Sequence, residues 1–168
     1  MKFFEVEQKY RIGDPKAVRA LFKKVGARKI SGGLEENEFF DRNGLLGARK
    51  IALRLRRSGK KATLTLKGPR LRSRFTKRLE LETPVDHGPV KTILQLSGFK
   101  VVRSYKKKRE LFRLGKCFVT LDRLRKFGWF LEIEGPVSAI AGFERKLGLK
   151  KSDREKKSYL QMLFGWRH

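Results

Sequence analysis

Residues 5–12 read EVEQKYRI. In an extended strand, side chains alternate faces, so Glu5, Glu7, Lys9 and Arg11 fall on one side and Val6, Tyr10 and Ile12 on the other. Two neighbouring carboxylates repel each other, but they suit a divalent cation, which takes oxygen ligands. The pattern recurs. RLELE sets Arg78, Glu80 and Glu82 against Leu79 and Leu81, and FLEIE sets Glu132 and Glu134 against Leu131 and Ile133. Three Glu-x-Glu pairs thus take six of only 17 acidic residues, in a chain where dispersal among 43 Lys and Arg would be electrostatically better. Other strand-like segments pair cations by the same rule: Arg54 with Arg56 in ALRLR, Lys107 with Arg109 in KKKREL, and Lys67 beside Thr63 and Thr65 in TLTLK. Arg and Lys at such spacing grip phosphate oxygens, Arg with two parallel contacts.

Stepping along the chain, segments 3–12, 36–41, 50–58, 61–68, 74–83, 100–113, 116–125 and 128–134 have strand character, with turns at SGKK (58–61), RLGK (113–116) and KFG (126–128). Helical patterns cover 14–26, with Asp14 as cap and Pro15 in the first turn, then 86–97, 137–147 and 153–164. No linker or repeat divides the chain, and a single domain over 1–168 is expected. The result is an α+β protein dominated by about eight antiparallel strands. Two arrangements satisfy the alternation. The charged faces could be the wet outside of a β-sandwich with leucine between the sheets. Alternatively they face inward, making a closed barrel with an acidic metal site and basic walls, while helices cover the apolar outside. The clustering of acids argues for the second.

Composition sets the limits. The chain of 168 residues is 39% hydrophobic and 36% charged, enough apolar content for a core, with no apolar run of membrane-spanning length. The start MKFFEVEQK meets an acid at its fifth residue and builds no signal peptide, and Cys117 is the only cysteine, so a cytoplasmic location is expected. A net charge of +26 attracts polyanions, whether nucleic acid, polyphosphate or nucleoside triphosphate. With His87, His168 and one Cys, a zinc cluster or Cys–His nucleophile is excluded, and no G-x-x-x-x-G-K-[ST] loop is present. Tyr105, Trp129 and Trp166 could stack a base, although packing is the better use for each. Arg70 and Arg72 read as loop residues after KGP, where substitution should matter little.

EVEQK (Glu5, Glu7, Lys9) resembles the ExExK motif that opens CYTH domains, the fold of the triphosphate tunnel metalloenzymes. The resemblance continues in order through FFD, IALRLR, LTLKGP, RLELE, a helix ending in LSGF, KKRELF, VTLDRL, GWFLEIEGP and KKSYLQML. It implies a closed eight-stranded antiparallel barrel, a tunnel with flanking helices. It further implies a catalytic set of Glu5, Glu7 and Lys9. Divalent Mg or Mn would be held by Glu5, Glu7, Glu132 and Glu134, supported by Glu80, Glu82 and Asp122. A triphosphate would be held by Lys9, Arg54, Arg56, Lys67, Arg78, Lys107 and Arg109, with Lys157 on the last helix closing one mouth. The implied partner is a small-molecule triphosphate (inorganic tripolyphosphate, a nucleoside triphosphate or thiamine triphosphate). Hydrolysis is favoured over an adenylyl cyclase reaction and over non-enzymatic binding of nucleic acid, and the chain is expected to act as a monomer or homodimer. The chain departs from the family pattern at Asn37 and Phe39, where an acid and a tyrosine are usual. It also lacks the His-Phe pair that precedes ExExK in many bacterial cyclases, which disfavours cyclase.

Overall fold

The computed structural model describes residues 4–165; Phe3 of the expected first strand, Trp166 and His168 lie outside them. Eight strands close on themselves: β1 (Phe4–Ile12), β2 (Arg28–Asp41), β3 (Ala52–Ser58), β4 (Lys61–Leu71), β5 (Thr76–Val85), β6 (Lys100–Leu114), β7 (Cys117–Leu124) and β8 (Gly128–Glu134). Their order is β5-β4-β3-β2-β6-β7-β8-β1, and β1 also pairs with β5 to complete the barrel. Every neighbouring pair is antiparallel. Closure satisfies edges that an open sheet would leave exposed. The two-residue β9 (Arg154–Glu155) adds to β1 beside Lys9 and Tyr10.

Hairpin turns fall where the sequence placed them. Ser58 faces Lys61 and Leu114 faces Cys117 across two-residue turns, and Gly59 (φ 58°) and Gly115 (φ 54°) take the left-handed backbone that such turns require.

Helix α1 (Pro15–Lys24) begins as expected, with Asp14 Oδ1 accepting from the N–H groups of Lys16 (2.8 Å) and Ala17 (3.2 Å). Its Phe22 is buried edge-on against Phe112, with ring centroids 4.9 Å apart. Together with Ile140 of α4 (Val137–Lys146) it covers the outward residues Val119, Leu121, Leu131 and Ile133, which form the main apolar core. That core lies outside the barrel, so the strands turn their apolar faces to the helices and their charged faces inward.

The four-residue α2 (Leu45–Ala48) follows Asp41, whose carboxylate accepts from the N–H groups of Arg42, Leu46 and Gly47. The acid of FFD therefore holds a loop. Helix α3 (His87–Leu96) lies against β3 and β4 and buries no residue.

Three expectations need correction. The strand read as 36–41 starts at Arg28, because β2 continues along β6 through Ser31-Gly32-Gly33. The strand read as 61–68 runs to Leu71, bulging between Lys67 and Arg70. A Cβ on Gly68 would come within 3.2 Å of Leu79 Cβ there, so Gly68 marks a close approach and Arg70 is a strand residue. The helix read as 153–164 is a short turn at Lys151–Asp153, then β9, then α5 (Tyr159–Phe164), which starts where Ser158 and Gln161 cap each other.

Candidate active site

A cavity of about 1720 Å³ runs through the barrel. Its lining gathers charged residues of six strands, Glu5, Glu7 and Lys9 of β1, Arg54 and Arg56 of β3, Lys67 of β4, Arg78, Glu80 and Glu82 of β5, Lys107 and Arg109 of β6, Glu132 and Glu134 of β8, together with uncharged residues such as Thr63, Leu66 and Thr120. Register explains their convergence. Glu7 lies directly opposite Glu134, Lys9 opposite Glu132, Glu5 opposite Arg78, and Lys67 opposite Glu80. The sandwich alternative is thereby overturned, since these charged faces meet one another across a lumen.

Across the lumen, acids and bases hold each other. Lys67 Nζ donates to Glu80 (2.6 Å) and Glu5 (3.0 Å), while Arg78 reaches Glu5 (3.2 Å) and Glu7 (3.4 Å). Arg56 donates to Glu82 at 2.8 Å and Arg54 at 3.4 Å. Lys9 lies 3.4 Å from Glu132 and 3.7 Å over the ring of Tyr159.

These contacts split the carboxylates. Burial, the largest single influence, raises Glu5, but Lys67, the hydrogen bond with Glu80 and Arg78 together outweigh it and hold the acid well below its usual range. Glu80 goes the other way. Burial and its hydrogen bond with Glu5 lift it to about 7, so the pair shares a proton near neutrality. Glu7 is raised by burial and by the charges of Glu5 and Glu132. That repulsion is the kind a bound cation relieves, and the all-oxygen donor set fits Mg or Mn. Among the described residues, however, no three such side chains are gathered into a ready ligand cluster. Glu5, Glu80 and Glu132 would have to exchange their Lys and Arg partners for a metal.

Two expected site residues stand apart. Asp122 is fully buried behind the lumen wall and absent from its lining. It accepts from Lys107 (2.8 Å), from Arg109 Nε (2.7 Å) and NH2 (2.5 Å), and from the Tyr159 hydroxyl (2.8 Å). All of these partners are protein groups, two of them wall cations. Lys157 is an exposed residue at the bend before α5, not on the helix. Its side chain does not line the cavity, and its backbone oxygen accepts from Lys9 Nζ at 3.3 Å. Arg70, expected to be neutral, lines the cavity opposite Arg78.

Sequence reasoning missed Glu35. It lies on the lumen side of β2, 3.6 Å from Lys107 and 3.8 Å from both Arg56 and Arg109. Burial would raise it, but Lys107, Arg109 and Arg56 bring it down to about 2. The signal was its position two residues before Asn37, visible only once β2 is extended backwards. Asn37 itself is 1% exposed, and neither atom of its amide has a hydrogen-bond partner among the described residues. Buried amides are normally satisfied by protein, water or ligand.

The wall thus presents several cations and several acids to the same lumen. A CYTH domain model matches residues 4–159. A Methanocaldococcus jannaschii protein described as a "putative adenylate cyclase" is 28% identical over 94% of this chain and 97% of its own length. The X-ray structure of a "putative adenylate cyclase" from Vibrio parahaemolyticus superposes with a TM-score of 0.87 at 25% identity, covering 97% of this chain and 99% of that one. A Pyrococcus horikoshii protein superposes at 0.80 with 28% identity, over 94% and 98%. An inward-charged eight-stranded barrel and a match over nearly its whole length place this chain in the CYTH family.

Proposed function

We propose that the chain is a divalent-metal-dependent enzyme that binds a triphosphate in its barrel and hydrolyses the terminal phosphate. The observation that carries the reading is the placement of Glu5 and Glu7 beside Glu132 and Glu134 on adjacent strands, with Glu7 directly opposite Glu134, inside a lumen also lined by Lys and Arg from other strands.

Lys67, Arg78, Arg54 and Arg56 now spend their donors on Glu5, Glu7, Glu80 and Glu82. An entering triphosphate offers them stronger acceptors. Their fixed positions orient its oxygens and offset charge that develops as the terminal P–O bond breaks. Lys107 and Arg109, held by Asp122, serve the same guest from the facing wall. Glu5 and Glu7, freed by this exchange, would hold Mg or Mn together with Glu132 and Glu134. A bound metal supplies charge neutralisation on phosphate oxygens and acidification of water.

Hydrolysis needs only that water reach the terminal phosphorus, whereas cyclisation needs a ribose 3′-hydroxyl placed at the α-phosphorus of ATP. The second reading, adenylyl cyclase, is supported by the names of the Methanocaldococcus and Vibrio relatives. Incubation with tripolyphosphate, ATP and thiamine triphosphate, each with and without Mg or Mn, separates the two by product. Orthophosphate release that requires metal is expected. Cyclic AMP with pyrophosphate would replace hydrolysis by the cyclase reading, and no turnover with any metal would overturn both.

A further inference from the structure

Outside the barrel, between the connection from β4 to β5 and the added strand β9, lies a separate groove of about 250 Å³. It is smaller than the roughly 300 Å³ at which sites for drug-sized molecules begin. Four cations line it: Arg70, Arg74, Arg154 and Lys156. The ring of buried Phe75 holds two of them in place, with the Arg74 guanidinium 5.2 Å and that of Arg154 4.9 Å from its centroid. Arg70 is fixed by a 2.6 Å hydrogen bond to the backbone oxygen of Lys156.

Counter-charge is scarce. Glu144 accepts from Arg154 at 2.8 Å and from the Tyr10 hydroxyl at 2.8 Å, and lies 3.9 Å from Arg74. Neither Arg70 nor Lys156 pairs with any acid among the described residues. Gathering like charges around a small concavity costs free energy unless an anion fills it. Guanidinium forks beside an ammonium match the oxygens of phosphate.

We propose that this groove is a second anion site, separate from the tunnel, which binds one small phosphate-bearing anion: inorganic phosphate or pyrophosphate, or the phosphate of a monoester. The site does not depend on which reaction the tunnel performs. Arg70 lines both spaces and lies opposite Arg78, so the occupant shares a guanidinium with the tunnel wall.

Calorimetric titration with pyrophosphate tests the site. The Arg54→Ala, Arg56→Ala variant, with its tunnel weakened, should keep one pyrophosphate site. Adding Arg74→Ala and Lys156→Ala should weaken that site at least about tenfold, since two charge-assisted contacts are lost. In the otherwise unchanged protein, Arg74→Ala with Lys156→Ala should leave tunnel turnover as it was. Lys116→Ala with Lys126→Ala removes equal charge from exposed positions elsewhere and should leave the groove's affinity within about twofold. Titration with AMP in place of pyrophosphate separates the sources: binding by AMP assigns a monoester, and binding by the inorganic anions alone assigns free phosphate. Absence of a site in the tunnel variant, or equal weakening by the Lys116, Lys126 pair, would overturn the proposal.

Discussion

Glu5 and Glu134 carry no part of the apolar core, so replacing either by Gln should leave the barrel folded while abolishing metal-dependent turnover. Circular dichroism alongside a phosphate-release assay checks both halves. On the basic wall, Arg54→Ala or Arg56→Ala removes a charge-assisted contact worth roughly 1.5 to 3 kcal/mol, and should raise KM or lower kcat by an order of magnitude or more. Arg72, which lines neither cavity, is the proper comparison, and its change to Ala should do much less. Glu35 gives a pH signature. Its folded value of about 2 lies below the unfolded 4.5, so its contribution to stability is full above pH 4.5 and lost as pH falls through 2. The wild-type melting temperature should therefore fall more steeply across that window than that of Glu35→Gln, and parallel curves would refute the assignment. The lumen residues were legible because charge at i, i+2 against leucine survives any error in strand ends. Glu35 was not, since its strand could be read only from residue 36. Asp122 entered only through the family resemblance, as a supporting group, and alternation along its strand could not say whether it faced the lumen or lay behind the wall.

At the scale of elements, the strands that alternate cleanly were legible from sequence, as were α1 with its Asp14 cap and the two-residue turns at Gly59 and Gly115. The first half of β2 was hidden. Ser31-Gly32-Gly33 has no apolar alternation and becomes a strand only because β6 is long enough to pair with it. The last helix was overextended because DREKKS (153–158) holds no Gly or Pro to mark a break before the apolar residues from Tyr159, whereas β1 recruits Arg154 and Glu155 into the sheet. The true start carried its own mark, Ser158 with Gln161 three residues on. Helix α5 then has a task the longer helix would not: its Tyr159 hydroxyl ties the segment to Asp122, and its ring packs on Phe130 and Tyr105 at one end of the lumen. Tyr159→Phe should cost about 1.5 kcal/mol, a hydrogen bond to a buried charged group, and preserve the response to metal. A denaturant melt measures the first, and an unchanged midpoint would show that the tie contributes nothing.

Over the whole molecule, the charge is divided unevenly. The inner walls set Lys9, Arg54, Arg56, Lys67, Arg70, Arg78, Lys107 and Arg109 against Glu5, Glu7, Glu35, Glu80, Glu82, Glu132 and Glu134, with Asp122 behind them and Lys50, Lys60 and Lys61 also in the lining, so most of the charge facing the lumen is offset. Most of the +26 therefore lies on the outside. General attraction for polyanions belongs to that exterior, should fall steeply with salt, and should need no metal. The tunnel differs because its bases are already neutralised and must be released. Thermal melting with Mn or Mg, alone and with tripolyphosphate, tests this most directly. A ligand that binds only the folded barrel adds about 2.7 kcal/mol at a hundredfold excess over its dissociation constant. The melting temperature should rise with metal, rise further with tripolyphosphate, and lose its metal response in the Glu5→Gln, Glu134→Gln double variant. A melt indifferent to metal, with or without tripolyphosphate, would contradict the account.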